Sequence, residues 1–492
     1  MYTGADQARR LSAAGRLLAA YPVDALGEFA LLLRTPVERF NESFQKEICL
    51  MLARRGDDAS IDVIMRKQKE NSERALWIVE AALEAVKDRA RVSRMLPGLL
   101  TGLRAVDREL GFYLAGKLSL TEHKELFVKA LVQERNRPAF EQAIESAGLL
   151  ARSTRISGSL IANLDLVPAF EDRLRIAGVI GRSGDVTCVP ALAALLKTGD
   201  EPQRCLALEA LSLLKQEEAL QAAQQILPPT SNEIPDVPAR DRLRGHALRA
   251  LLRFPPDRIA PLIAILLQPS AAFLLEDTGR TIESRAYLLD WLAGHPDKRY
   301  AAELQAMLAV ATNNRYREAV LRALAATKDA TTLPVVRQEA EKGDPAAIVA
   351  LGEAGGAESE SYVLTKLSGL MQSGLEQSPD EALALIAVAG SFSSSPDVTA
   401  ALGAVAKLDR PPFSTEALKQ LGRLHSPDSL KIVAAALGSP LTDIRRAACL
   451  VLAQSGSSSH LKSLDLLSRK DPSAEVRNDA RRALTAIKSR RN

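Results

Sequence analysis

Aromatic residues make up only 4% of this 492-residue chain, with 2 tryptophans in all, so a surface that stacks successive bases on rings is not to be expected. Cysteine is equally sparse. Cys49, Cys188, Cys205 and Cys449 are far apart, form no CxxC pair and lie in or beside apolar stretches, which reads as reduced core thiols rather than a disulfide frame or metal site. Neither sign of charge dominates. Lys plus Arg number 64 against 60 for Asp plus Glu, and a net +4 is too small at this length to imply a polyanion binder. No run of about 18 apolar residues occurs and the amino terminus has no uninterrupted apolar segment, so neither a membrane span nor a signal peptide is expected, and a cytoplasmic protein is the default reading.

What is abundant is small aliphatic residues: 47% of the chain is hydrophobic while rings are few, so Leu, Ala, Val and Ile must fill the core. They recur. GSPLTDIRRAACLVLAQSG is followed by KDPSAEVRNDARRALTAIK, and the two align Arg445 with Arg477, Ala448 with Ala480 and Leu452 with Leu484 at an offset of 32 residues. Val476, Ala480, Ala483, Leu484 and Ile487 share one stripe of a helix, and Leu461, Leu464 and Leu467 share a stripe on the segment before it. The unit is therefore a pair of short amphipathic helices. The same Arg, +3, +7 pattern returns upstream at Arg317, Arg285, Arg244, Arg204, Arg173 and Arg108. At Asp344, Glu381 and Ser414 the arginine is replaced but the small or aliphatic positions persist. Copies at a mean spacing of roughly 33 residues predict an all-α, right-handed α-solenoid of about fifteen antiparallel helix pairs.

Punctuation supports this reading. Asp471-Pro472, Ser439-Pro440, Ser426-Pro427, Ser395-Pro396, Ser378-Pro379 and Asp344-Pro345 each join a capping oxygen to a residue suited to the first helical turn. Gly355, Gly422, Gly438 and Gly456 fall where helices are expected to stop.

The D-P-x-x-x-V-R-x-x-A-x-x-A-L run at Asp471–Leu484, with its weaker relatives upstream, resembles HEAT repeats, especially the bacterial HEAT-like group associated with phycobilin lyases. The resemblance implies a solenoid. It leaves function open among scaffolds, transport factors, chromophore lyases and a few DNA-repair proteins.

The expected organisation is N-terminal repeats over 1–226, a protruding Pro-rich loop over 227–241, central repeats over 242–342 with an insertion at 268–281, acidic repeats over 343–443, and basic repeats with a cap over 444–492. Gly343–Asp443 holds 12 acidic and 6 basic residues, whereas Ile444–Asn492 holds 4 and 11. Two candidate contact elements follow: the basic end, with Arg477, Arg481, Arg482, Arg490 and Arg491, and the insertion, with Phe273, Leu274 and Leu275 between polar flanks. Each has a plainer reading, as a solubilising cap and as an ordinary surface loop.

Catalytic patterns are not found. Gly111-Phe-Tyr-Leu-Ala-Gly116-Lys117 has phosphate-loop spacing but continues with Leu118 and lies on a repeat helix, where it cannot wrap phosphates. The five histidines are scattered, and Glu217-Glu218 and Asp57-Asp58 are neighbours rather than facing pairs. No catalytic, cofactor or metal residue is expected. The arginine series is expected to bond the turns of its own or neighbouring units. The expected function is a non-catalytic scaffold that binds a protein partner on the concave face formed by the second helix of each pair; a chromophore lyase or isomerase, or a nucleic-acid binder, is the alternative.

Overall fold

A computed structural model describes residues 4–20, 22–33, 42–68, 73–227, 238–268, 284–311, 314–392 and 395–490. Among these residues there are 29 α-helices and no strand, the number that about fifteen pairs demand. The fold is an all-α solenoid. It divides at Pro255 and Pro256 into two units, each a stack of helix hairpins.

Within each unit the second helices of successive pairs pack directly on one another: Glu73–Glu84, Ala105–Lys117, Arg137–Thr154, Phe170–Arg182 and Glu201–Leu213 in the first unit, and Asn314–Ala326, Pro345–Ala354, Pro379–Ala389, Phe413–Leu424, Thr442–Ser455 and Ala474–Ser489 in the second. The first helix of each pair packs against its own second helix and covers the other side of this layer. The repeat template gives the register. Ile176 and Ile180, Ala207 and Leu211, Val320 and Leu324, Ala347 and Leu351, Ala417 and Leu421, and Ala448 and Leu452 are all buried. In the final copy Val476, Ala480, Ala483 and Ile487 are buried while Leu484 is half-buried.

Four of the six proline-led starts are observed; Ser439-Pro440 and Asp471-Pro472 instead form turns ahead of the N-caps Leu441 and Ser473, their side chains accepting from Leu441 N and Ser473 N. Pro345 and Pro427 open helices whose caps, Asp344 and Ser426, accept hydrogen bonds from Ala346 N at 2.9 Å and Ser429 N at 3.0 Å. Ser378 and Ser395 precede helices at Pro379 and Pro396 without making a side-chain cap bond. The glycine stops are corrected in part. Gly355 and Gly456 cap the ends of Pro345–Ala354 and Thr442–Ser455, the first left-handed at φ +70° and the second extended, and Gly438 closes the turn after Pro427–Ala435, but Gly422 lies inside Phe413–Leu424. Left-handed positions are shared between glycines, such as Gly56, Gly184, Gly343 and Gly374, and Ser119, Arg155, Lys215, Lys328, Asp409 and His425, whose polar side chains can offset a modest backbone cost in solvent.

The predicted loop over 227–241 is shorter at its carboxyl side, since Pro238–Leu251 is a helix; a proline at the first helical position forfeits no hydrogen bond. Residues 228–237, and 269–281 of the predicted insertion, lie outside the described residues.

Candidate binding surfaces

Four members of the arginine series, Arg108, Arg173, Arg445 and Arg477, form a stitch with constant geometry; the side chain of Arg285 lies outside the described residues. Arg108 donates to Gly102 O at 2.8 Å and Leu103 O at 3.1 Å; Arg445 donates to Ser439 O and Pro440 O, both at 3.0 Å. Arg173 reaches Val167 O and Pro168 O, and Arg477 reaches Asp471 O and Pro472 O, always five and six residues back. The forward side of the guanidinium takes a carboxylate of the next repeat: Glu134 for Arg108, Asp344 for Arg317, and Asp471 for Arg445. One side chain thus closes its own inter-helix turn and fixes the next hairpin. Arg204 departs from the pattern, its Nε being buried without a partner. These guanidinium groups are committed to the fold.

The same accounting sorts the basic carboxyl end. Arg477 is held as above, and Arg490 donates to Ala453 O at 2.5 Å and Gly456 O at 3.0 Å, covering the end of Thr442–Ser455. Arg481 bonds only Asn478 Oδ1 at 3.3 Å, and Arg482, 80% exposed, stands 4.0 Å from Asp479. Arg481, Arg482 and the exposed Lys488 are therefore the cationic surface on this helix. Arg491, Phe273, Leu274 and Leu275 lie outside the described residues.

A surface that the sequence reading missed lies on the first unit. Glu73–Glu84, Ala105–Lys117 and Arg137–Thr154 are consecutive second helices, and they bring Glu80, Glu84, Glu109 and Glu145 within electrostatic reach. Tyr113 donates to Glu84 Oε2 at 2.9 Å, and Trp77, 46% exposed, stands at the edge with Lys46 Nζ 3.8 Å over its ring. Burial first, then the charges of Glu109, Glu145 and Glu84, push the Glu80 carboxyl up to about 7. The sequence signal was present in Glu80 with Glu84, Glu109 with Tyr113, and Glu141 with Glu145, each pair four apart on one helix face. It was obscured because Glu80, Glu109 and Glu145 recur at unequal intervals.

A carboxyl whose folded pKa exceeds its unfolded value near 4.5 favours the fold fully below that value, and the contribution is lost as pH rises through about 7. Glu80→Gln is accordingly expected to match the parent near pH 4.5 and to exceed it at pH 8 by about 1–2 kcal/mol after solvent screening, read by urea unfolding at both pH values. Equal stability of the two proteins at pH 8 would remove the like-charge account.

Reactive groups elsewhere are quenched by burial. Cys49, Cys205 and Cys449 are pushed up to about 12 and Cys188 to about 11, chiefly by burial. Gly111–Lys117 is helical, and no group of three or more metal-ligating side chains occurs among the described residues.

The family model for HEAT repeats matches residues 399–485. Over those residues the repeat is of the HEAT type. No curated protein matches the chain in sequence. Among solved structures the chain is similar to Kap121p bound to Ste12p (12% identity, 97% of this chain and 61% of that one, TM-score 0.38). It is also similar to the karyopherin Kap121p bound to the extreme C-terminus of the protein phosphatase Cdc14p (13%, 97% and 66%, TM-score 0.34). A third likeness is to a Kap95p structure with RanGDP (10%, 97% and 84%, TM-score 0.38). The chain spans about three fifths of the length of the first of these. At such identities the likeness concerns the backbone alone.

Proposed function

We propose that this chain is a non-catalytic scaffold that holds a protein partner against the exposed, concave face of its second helices, with a cationic segment of that partner seated on the acidic row of the first unit. The observation that carries this reading is the concentration of Glu80, Glu84, Glu109 and Glu145 on three consecutive helices, beside the amphipathic rings of Trp77 and Tyr113. Carboxylates crowded until one holds its proton near neutrality are relieved by a cation from outside, and exposed aromatic residues favour protein contact. Binding then releases a proton and strengthens as pH rises from 6 to 8.

The test is a charge reversal. A partner captured by the parent protein and identified by mass spectrometry is expected to bind Glu84→Lys/Glu145→Lys at least about tenfold more weakly, and Arg481→Glu/Arg482→Glu unchanged. The opposite ranking, or retention of duplex DNA that depends on Arg481 and Arg482 at physiological salt, would replace this reading with nucleic-acid binding.

Kinship with the phycobilin-lyase-type bacterial group is likewise a proposal, supported by the Asp471–Leu484 run. A cytoplasmic location is proposed from the four free, buried cysteines, which suit a reducing compartment.

A further inference from the structure

In the second unit, on the first-helix side of the stack, a cleft of about 1030 Å³ opens between Leu333–Glu341 and Ala357–Ser373 and is closed at one end by the first turn of Pro379–Ala389. Its charged lining is Arg337, Glu341, Glu358, Lys366 and Glu381. Arg337 pairs with Glu341 at 3.3 Å, and Lys366 stands 3.9 Å from Glu381. Glu358 has no ion-pair partner among the described residues, so the cleft keeps one net negative charge.

The lining also includes Tyr362, only 7% exposed, with Arg337 Cζ 5.6 Å above its ring. Its hydroxyl is buried and has no hydrogen-bond partner. A buried phenol that forgoes every bond costs about 1–3 kcal/mol. Burial first, then the charges of Glu381 and Glu341, push this phenol up to about 12, so it keeps its proton and offers lone pairs as well as a donor.

We propose that this cleft binds a guanidinium- or ammonium-bearing segment of a polypeptide, its N–H groups donating to Tyr362 Oη and to the Glu358 carboxylate. The site is independent of the acidic row of the first unit. An anion fits poorly, because both cations of the cleft already face carboxylates and a third carboxylate stands without one. The volume is several times that of one arginine side chain, which leaves room for the flanking backbone.

The experiment uses the full chain and a fluorescein-labelled eight-residue peptide carrying two arginines among glycines, read by anisotropy at low salt. The controls are the same peptide with citrulline for arginine, a serine-phosphorylated peptide, and spermidine as competitor. The arginine peptide is expected to bind at least about tenfold more tightly than the citrulline peptide. Tyr362→Phe and Glu358→Gln should each weaken it about tenfold, and Glu84→Lys/Glu145→Lys should leave it unchanged, so the two sites fail separately. Glu358 is exposed, so its substitution reports on binding even where Tyr362→Phe disturbs the repeat. Equal binding of the citrulline peptide, preference for the phosphopeptide, or an affinity indifferent to both substitutions would overturn the proposal. Spermidine binding that the arginine peptide cannot displace would assign the cleft to free polyamines and overturn the polypeptide source.

Discussion

Arg445→Ala is expected to destabilise the second unit by about 3–5 kcal/mol, the range for removing one member of a buried ion pair. Arg445 is 8% exposed and Asp471 6%, and the guanidinium makes four bonds: Nε to Asp471 Oδ2 at 2.8 Å, Nη2 to Oδ1 at 3.0 Å, and Nη1 to the carbonyls of Ser439 and Pro440. Removing it leaves a buried carboxylate and two turn carbonyls without these donors. Burial pushes the Asp471 carboxyl up, but the bonds from Arg445 and Ser473 N and the charges of Arg445 and Arg477 outweigh it and hold the group below the usual carboxylate range. A depressed folded pKa contributes stability above the unfolded value near 3.8, lost as pH falls through the folded one; the gap between parent and variant should therefore narrow in strong acid. Arg445→Met/Asp471→Leu should lose less than Arg445→Ala, because no unpaired charge remains. Hydrogen exchange locates the effect. Amides of Thr442–Ser455 and Ala474–Ser489 lose protection, whereas those of Ala105–Lys117 keep theirs, since stability in a stack of repeats is a sum of local and neighbour terms. Uniform loss across both units would contradict that account.

The stack and its register were legible because they rest on a period. Arg445 and Arg477, with small residues three and seven positions on, mark one face of one helix wherever they recur, and burial of Ala448 and Leu452 follows from that spacing. Helix starts were legible too, since Asp344-Pro345 satisfies both a cap and a first turn locally. Helix stops were legible in part: Gly355 and Gly456 are caps, whereas Gly422 lies inside its helix. A left-handed residue at a helix end must tolerate a modest backbone cost, which Lys215 or His425 does in solvent, so glycine there is optional. The candidate surfaces were the least legible part. Glu80, Glu109 and Glu145 are brought together by stacking three helices, and Glu358 and Tyr362, four apart on one helix, line a cleft with Arg337 and Glu381 of neighbouring helices; local spacing shows which residues share a face but not which faces the stack brings together. The basic end was legible as composition only. The structure divides it into Arg477 and Arg490, bound to backbone carbonyls, and Arg481 and Arg482, left on the surface.

Glycine supplies the second large effect, and here two helical glycines should respond with opposite signs. In an exposed helix interior Gly→Ala gains roughly 0.8–1 kcal/mol from backbone entropy alone. Gly148, in Arg137–Thr154, has nothing within 4 Å of where a Cβ would stand, so Gly148→Ala should stabilise the first unit by about that amount. Gly116, in the preceding second helix, has the same propensity argument and a different neighbour. A Cβ there would stand 2.6 Å from Ser146 Cβ and 2.7 Å from Ser146 Cα, atoms that cannot turn aside by a change of rotamer. The two helices would have to separate, opening contacts around Ala115, Ala143 and Ala147, all buried. Overpacking of this kind typically costs about 1–3 kcal/mol and occasionally more; a contact with backbone belongs at the upper end, so the steric cost exceeds the entropy gain. Gly116→Ala is therefore expected to lower stability by about 2 kcal/mol net, and Gly116→Val by more, while Gly148→Ala raises it, all in urea unfolding of the full chain. The close approach at Gly116 is what lets consecutive second helices pack directly on one another. If Gly116→Ala proved as stabilising as Gly148→Ala, the helices of this layer would have to lie farther apart than described, and the acidic row they bring together would disperse with them.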